Sequence, residues 1–131
     1  MIESFGIALS GLNAVSKKLN NTANNVANQF STLSNINGET VKTPYKPQDV
    51  NNVSLEPGGV TTNTRPTEPG SIPVYDPENS AADADGITQY PNVDPEKEVV
   101  NQLVDKNEFK ANLNVIKTQD KMLGDLLDIL A

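Results

Sequence analysis

Residues 2–33 read IESFGIALSGLNAVSKKLNNTANNVANQFSTL, and the spacing of their apolar positions decides the first element of the fold. Ten positions follow alternating steps of three and four residues, the heptad spacing of a helix that packs against another helix. No proline interrupts the stretch. We therefore predict a long N-terminal helix. The ten positions are Ile2, Phe5, Leu9, Leu12, Ser16, Leu19, Ala23, Val26, Phe30 and Leu33.

A second helix is predicted at the other end of the chain. Asp94 is a favoured N-cap residue, and Pro95 suits the first helical position. Glu96 and Glu98 follow, where acidic side chains favour a helix N-terminus. The three-four spacing then recurs to the end of the sequence. Its positions are Val99, Gln102, Lys106, Phe109, Leu113, Ile116, Asp120, Leu123, Leu127 and Leu130.

The middle of the chain has a different composition. All nine prolines lie between Pro44 and Pro95, and turn pairs such as Asn37-Gly38 and Asp85-Gly86 recur. Short strands are predicted at 40–43, 50–55, 59–64 and 72–75. Large apolar residues are too few here for a separate core. We therefore predict a Pro/Gly-rich irregular region with one or two short β-hairpins.

These elements give a predicted architecture. The fold class is mainly α, with the N-terminal helix in residues 1–34 and the C-terminal helix in residues 94–131 paired as an antiparallel-type coiled coil. An extended loop and hairpin region, 35–93, connects them. The end of the first helix is left open between Asn28 and Asn35.

The N-terminal helix is intrinsically weak, because it holds six asparagines and two glycines. Each asparagine costs up to about 0.7 kcal/mol relative to alanine and each glycine about 1 kcal/mol. Packing against neighbouring subunits would have to stabilise such a helix. The asparagines either link helices or form a solvated face, and the sequence leaves both readings open. The predicted helix-helix and inter-subunit interface is Phe5, Leu9, Leu12, Leu19, Asn24, Asn25, Val26, Asn28, Phe109, Asn112, Leu113, Ile116, Leu123, Leu127 and Leu130.

Composition excludes several kinds of function. The 131 residues include no His, Cys or Trp, and the formal net charge is −7. A Ser-His or Cys-His nucleophile pair is impossible, and zinc lacks its usual ligands. An acidic chain with few aromatic residues is a poor nucleic-acid binder. No apolar run is long enough to span a membrane. The N-terminus lacks the basic and apolar regions of a cleaved signal peptide.

Acidic residues could indicate a calcium or catalytic site, but their spacing argues against both. Asp83 and Asp85 precede Gly86, yet no glutamate stands where a calcium-binding EF-hand loop needs one. This segment is better explained as a turn. Glu96 and Glu98 are two residues apart on a helix and do not face each other. We predict no catalytic residue, metal or cofactor.

Several motifs resemble those of bacterial flagellar rod and hook proteins. The N-terminal run ALSGLNAVSKKLN, followed by TANNVAN, resembles their shared signature. The segments VYDP at 74–77, ADADG at 82–86, YPNVDP at 90–95 and FKAN at 109–112 resemble the proximal rod proteins of the flagellar basal body. The resemblance covers about two thirds of the chain. Many rod proteins follow this helix with an Asn-Thr-x-Gly-Tyr-Lys type turn, whereas here residues 29–43 intervene before Pro44-Tyr45-Lys46. This departure is why the end of the first helix is left open.

The resemblance implies a structural role without a cofactor or active site. It implies helical self-assembly into the periplasmic rod that transmits torque, with inner helices paired as a coiled-coil tube. The implied partners are other copies of the chain, other rod proteins, the flagellar export apparatus, and the basal-body base or ring. Export would not use a cleaved signal peptide. The residues alone leave open a small coiled-coil adaptor or regulator of a secretion system. An enzyme acting on the cell wall is a weaker alternative.

Overall fold

A computed structural model describes residues 2–130, apart from the side chains of Ile2 and Leu130. Helix α1 runs from Ile2 to Ala27 and helix α2 from Pro95 to Leu130. α1 therefore ends one residue before the predicted range of 28–35. Six strands lie between the helices: β1 Ser34–Ile36, β2 Glu39–Val41, β3 Gln48–Ser54, β4 Val60–Pro66, β5 Ser71–Tyr75 and β6 Ile87–Pro91.

The strands form three separate two-stranded sheets, in the orders β1-β2, β3-β4 and β5-β6. β1 and β2 are antiparallel across the turn at Asn37-Gly38, with Ile36 opposite Glu39. Both turn residues have positive φ, 54° and 88°, as a tight hairpin turn requires. β5 and β6 are also antiparallel, with Val74 opposite Thr88. They are joined by the longer loop 76–86.

The predicted mainly α fold is wrong. The helices hold 26 and 36 residues, just under half of the chain, and the middle is organised into three sheets instead of an irregular loop with one or two hairpins. β1 and β6 were absent from the predicted strands. β6 follows the turn at Gly86 and contains Thr88, which is fully buried. The structure also does not show the predicted coiled-coil pairing.

The chain divides into two compact units. The first holds the described residues up to Asn20, Val50–Asn63, and the described residues from Val100 onward. The second holds Asn21–Asp49 and Thr64–Val99. Buried hydrophobic residues are small and few: Ala8, Ala14 and Val15, all in the first unit, account for the hydrophobic core of the described side chains.

Candidate interaction surfaces

The two helices approach closely at Gly11 in the first unit. A Cβ atom built on Gly11 would lie 2.8 Å from the side-chain amide nitrogen and oxygen of Asn112. Asn112 Nδ2 donates a hydrogen bond of 3.1 Å to the carbonyl oxygen of Glu108, which fixes the side chain over the glycine. Glycine therefore permits a backbone approach that any larger residue would obstruct.

An ion-pair cluster lies further along the same helices. Lys18 Nζ is 2.6 Å from Asp105 Oδ1 and 3.2 Å from Glu108 Oε2. Only 2% of the Asp105 side chain is exposed. Burial by itself lowers the pKa of Lys18, but hydrogen bonding and charge attraction from Asp105 and Glu108 outweigh burial and leave this pKa raised. Since Asp105 is buried, its charge depends on Lys18 for compensation.

The first unit also attaches its hairpin turn to α1. Ser10 Oγ donates to the carbonyl oxygen of Ile7 and accepts a hydrogen bond of 3.0 Å from the backbone N–H of Val60. A Cβ atom on Gly59 would lie 2.8 Å from this hydroxyl, and the φ of Gly59 is +99°. Gly59 is therefore needed both for its backbone conformation and for the space that Ser10 occupies.

In the second unit, Asn25 joins three segments through one side chain that is 1% exposed. Its Nδ2 donates to the Gln48 carbonyl oxygen at 2.9 Å and to Glu98 Oε1 at 2.7 Å. Its Oδ1 accepts from Tyr45 Oη at 3.0 Å and from the Gln48 N–H at 3.2 Å. Two donors and two acceptors exhaust what an asparagine amide offers. Burial and the nearby charge of Glu98 raise the pKa of Tyr45.

A second polar network holds the loop between β5 and β6. Tyr90 Oη donates a hydrogen bond of 2.6 Å to Asp76 Oδ2, and Asn79 Nδ2 donates to the same oxygen at 3.3 Å. Thr32 Oγ1 donates to Asn79 Oδ1 at 3.2 Å. The hydrogen bond to Asp76 is the main reason that the pKa of Tyr90 is raised. The loop is therefore tied at several points to the rest of the second unit.

The start of α2 is capped by a side chain. Asp94 Oδ1 accepts hydrogen bonds from the backbone N–H groups of Glu96 at 3.0 Å and Lys97 at 3.1 Å. Pro95 is the first residue of α2, where the missing N–H leaves no hydrogen bond unmade. This arrangement satisfies two of the donors that every helix start exposes.

The buried positions of α1 keep the predicted three-four spacing but lie one residue before the predicted apolar positions. One residue is a rotation of about 100° around a helix. Large side chains of the predicted set remain exposed, including Phe5 at 45% and Leu9 at 43%. The contacting face instead carries small and polar residues: Ala8, Gly11, Val15, Lys18, Thr22 and Asn25.

The first part of helix α2 shows the same displacement, whereas Phe109, Leu113 and Ile116 are partly buried at their predicted positions. Glu98 and Asp105 are buried, whereas Val99, one position on, is 63% exposed. Asn101, Glu108 and Asn112 continue the less exposed stripe. The apolar end of the helix is exposed throughout residues 121–129, with Leu127 at 66% and Ile129 at 79%. The large apolar residues are thus left available for contacts outside the chain.

The predicted interface residues therefore have different environments. Asn25 is buried within the chain, and Asn112 covers Gly11. The side chain of Leu130 lies outside the described residues. The exposed members are Phe5, Leu9, Asn24, Val26, Leu123 and Leu127, and the partly exposed members are Leu12, Leu19, Asn28, Phe109, Asn112, Leu113 and Ile116.

Sequence reasoning missed Lys18, Asp105, Tyr45 and Ser10 as contact residues. The sequence does contain one indication of this contact: Asp105 and Glu108 lie three residues apart and so occupy one helix face, where they could share a cationic partner. Nothing in the spacing identified Lys18 as their partner. Within residues 2–130, no cluster of acidic side chains could hold a metal ion, and neither helix is long and apolar enough to cross a membrane.

Comparison with known proteins identifies the family. Residues 84–129 match the family model described as flagellar basal body rod FlgEFG protein C-terminal. Over 130 residues the chain is 34% identical to the flagellar basal-body rod protein FlgC of Escherichia coli O6:H1, covering 94% of this chain and 92% of that protein. It is 35% identical to FlgC of Salmonella typhimurium over the same shares. FlgC of Buchnera aphidicola subsp. Acyrthosiphon pisum is 34% identical over 136 residues, 98% and 97% of the two chains.

The chain belongs to the flagellar basal-body rod proteins. Within that family, the relatives that it matches over nearly its whole length are FlgC proteins. The resemblance found in the N-terminal and central motifs is thereby confirmed, and so is the expected role of a structural subunit of the basal-body rod.

Proposed function

We propose that this chain forms the rod by packing the exposed apolar residues of its helices against neighbouring subunits, including other copies of itself. The observation that carries the proposal is the exposure of Phe5, Leu9, Leu123 and Leu127 on helices whose intrachain contacts are small and polar. Moving such a side chain from full exposure to full burial is worth about 1.5–3 kcal/mol, and side chains that are already about half covered contribute correspondingly less. Several per subunit, repeated along a rod, would give a stiff structure.

The small core supports the same proposal. Ala8, Ala14 and Val15 bury little apolar surface against the conformational entropy of a chain this long. Small domains bury a smaller share of their surface than large ones, and additional stabilisation then comes from binding or assembly. Neighbouring subunits would supply it here.

The role is structural and not enzymatic. Three of the carboxylates that are held by contacts have structural roles: Asp94 caps α2, Asp105 pairs with Lys18, and Asp76 holds the loop between β5 and β6. The site of action is the periplasmic rod, where the chain contacts other rod proteins and the basal-body base or ring. It reaches the rod through the flagellar export apparatus, and a core of three small apolar residues favours the unfolding that passage through such an apparatus requires.

Substitution of an exposed apolar residue tests the assembly proposal. Leu9→Asp should leave most of the helix content of the isolated chain in place, because Leu9 lies outside the contacting face of α1 and is 43% exposed. The same change should prevent incorporation into basal bodies and abolish swimming in soft agar, because it places an unpaired charge in an interface. Asn13→Asp, at an exposed polar position of the same helix, is the matched control and should support motility.

The outcomes separate an interface from a core position. If Leu9→Asp cells swim like the wild type and their basal bodies contain the variant, the exposed apolar face is not an interface.

Cell fractionation tests the proposed export route. The chain should be found in the basal-body fraction only when the flagellar export apparatus works, and its presence outside the cytoplasm in cells lacking that apparatus would contradict the proposed route.

A further inference from the structure

Four lysines lie along one side of α2, as a pair in each half of the segment 106–121. Lys106, Lys110, Lys117 and Lys121 are all exposed, and at 100° per residue they fall within an arc of about 60°. The stripe extends over about 22 Å of helix at 1.5 Å per residue. Among the described residues, the ion pairs of the chain involve Lys18 and Lys97 and none of these four. We call them the lysine stripe.

The lysine stripe lies on the side of α2 opposite the residues that pair with Lys18 and cover Gly11. Asp105, Glu108 and Asn112, which contact or face α1, are centred about 150° around the helix from the stripe. The carboxylates of Asp105 and Glu108 therefore point away from the lysines. Asp120 borders the stripe, and Asp125 and Asp128 lie beyond its C-terminal end on or near the same side, so these three carboxylates offset part of its charge. The stripe remains a net positive surface on a chain of net charge −7.

The opposite charge is concentrated in another part of the sequence. Residues 66–96 contain seven acidic residues and no basic residue. Four of the seven lie in or border the loop between β5 and β6: Asp76, Glu78, Asp83 and Asp85. We call residues 76–86 the acidic loop. Glu78, Asp83 and Asp85 are exposed, and Asp76 is partly exposed.

The acidic loop is held in shape before any partner binds. Tyr90 and Asn79 both donate to Asp76 Oδ2, and Asp83 Oδ1 accepts from the N–H groups of Asp85 at 3.0 Å and Ile87 at 2.9 Å. Lys42 Nζ donates to the carbonyl oxygen of Ala82 at 2.8 Å and reduces the local charge by one. A preformed loop loses little conformational entropy on binding.

We propose that the lysine stripe of one subunit docks on the acidic loop of a second copy of the same chain. The choice of occupant follows from charge. Two chains of net charge −7 repel each other unless a positive surface of one meets a negative surface of the other, and each chain carries both. The two surfaces consist of different residues, so the contact is heterologous and can repeat from copy to copy in a helical array.

This inference rests on the proposed self-assembly but is separable from it. The apolar faces supply binding energy without fixing direction, whereas complementary charges set which surface meets which and how fast the copies find each other. The stripe and the loop would therefore determine the register and polarity of stacking. A solvated helix face would have no such effect on association.

Charge reversal tests the inference. The stripe variant carries Lys106→Glu, Lys110→Glu and Lys117→Glu. The loop variant carries Glu78→Lys, Ser80→Lys and Asp85→Lys, at exposed positions that leave the hydrogen bonds to Asp83 Oδ1 intact. Sedimentation velocity of the purified full chain should show an association constant at least about tenfold lower for each variant alone. A mixture of the two should associate like the wild type, because each reversed surface then meets a reversed partner. Circular dichroism confirms that each variant is folded.

Two controls make the result specific. The variant with Lys17→Glu, Lys46→Glu and Arg65→Glu changes net charge by the same amount at exposed positions outside the stripe, and it should retain most of the association. Raising salt from about 0.1 M to about 1 M should weaken wild-type association, since the screening length falls from about 10 Å to about 3 Å. If the stripe variant fails to fold, the three lysine-to-glutamine replacements should produce a weaker loss in the same direction.

Cross-linking gives a second measurement, since the chain has no native cysteine. Chains with Lys117→Cys and chains with Asp85→Cys, mixed and oxidised, should form a mixed disulfide-linked dimer, and Lys17→Cys with Asp85→Cys should not. Wild-type association that is indifferent to the stripe and loop reversals, with no such dimer, overturns this inference and leaves the proposed function standing. A wild-type chain that never associates, in solution or in basal bodies, overturns both.

Discussion

The side-chain amide of Asn112 occupies the space that a Cβ atom of Gly11 would need, at 2.8 Å from it. The pair sets how closely α1 and α2 approach in the first unit. Their separation in the sequence is about one hundred residues, so the contact also joins the two ends of the chain within that unit.

Replacement of Gly11 by a larger residue should lower the stability of the folded chain, and the size of this loss should depend on Asn112. Gly11→Ala displaces the amide and weakens its hydrogen bond to Glu108, so we expect a loss of about 1–3 kcal/mol in unfolding free energy. Gly6→Ala is the matched control, because nothing lies within 4 Å of its Cβ position, and it should gain up to about 1 kcal/mol. Urea unfolding measures both.

Asn112→Gly should rescue Gly11→Ala if the clash is the cause. The double variant should then be no less stable than Asn112→Gly alone, which is the mark of coupled residues. Equal effects of Gly11→Ala with and without Asn112 would show that the close approach does not limit the packing.

Asn25 is expected to be the most sensitive asparagine of α1. Asn25→Ala leaves the Glu98 carboxylate and the Gln48 backbone without buried partners, and we expect a loss of about 3 kcal/mol in unfolding free energy. Asn24→Ala, at an exposed position, should change it by less than about 0.5 kcal/mol. Comparable losses at both positions in thermal unfolding would contradict this assignment.

The Lys18 cluster should make stability depend on alkaline pH. The pKa of Lys18 is raised in the folded chain, so its contribution is complete below the ordinary value of 10.5 and is lost as pH rises above that value. Tyr45 and Tyr90 also have raised pKa values and act in the same direction above about pH 10. Urea midpoints between pH 8 and pH 11.5 should therefore fall.

The contribution of Lys18 can be isolated by substitution. Lys18→Met should unfold about 3–5 kcal/mol more easily at pH 8, because it leaves Asp105 buried without a cation. Its urea midpoint should fall less steeply above pH 10 than that of the wild type. The double variant Lys18→Met, Asp105→Leu should recover much of the loss, and a double variant as unstable as Lys18→Met would argue against an uncompensated charge.

Capping of α2 by Asp94 should be measurable on its own. Asp94→Ala removes the acceptor for the Glu96 and Lys97 N–H groups and should cost about 1 kcal/mol. Asp94→Asn keeps an acceptor oxygen and should lose only a few tenths of a kcal/mol. Calorimetry of the two variants distinguishes capping from a general effect of charge.

The sequence identified both helices because long periodic segments carry a strong signal. α2 begins at Pro95, where the Asp-Pro pair indicated, and four of the six strands overlap predicted ones. β6 was missed because its residues Ile87–Pro91 contain a proline and polar side chains, and its pairing with β5 depends on a loop whose shape is set by distant residues.

The heptad pattern does not show which face of each helix packs within the chain. Heptad spacing favours burial of the largest apolar residues, as for Leu9 and Leu127, and the sequence does not say whether they are buried within the chain or by neighbours. Gly11, Lys18 and Asn25 form the contacting face because small and hydrogen-bonding groups satisfy each other across it. In the structure the contacting face of α1 keeps the three-four spacing but lies one residue before the predicted apolar positions.

The polar character of the contacting helix faces also affects the heat capacity of unfolding. Unfolding of the isolated subunit uncovers mainly amides, carboxylates and short side chains, because the hydrophobic core of the described residues is limited to Ala8, Ala14 and Val15. Newly hydrated apolar surface raises the heat capacity, whereas newly hydrated polar surface lowers it. The subunit should therefore melt broadly, with a heat-capacity increment well below about 12–15 cal/mol/K per residue and a shallow dependence on urea.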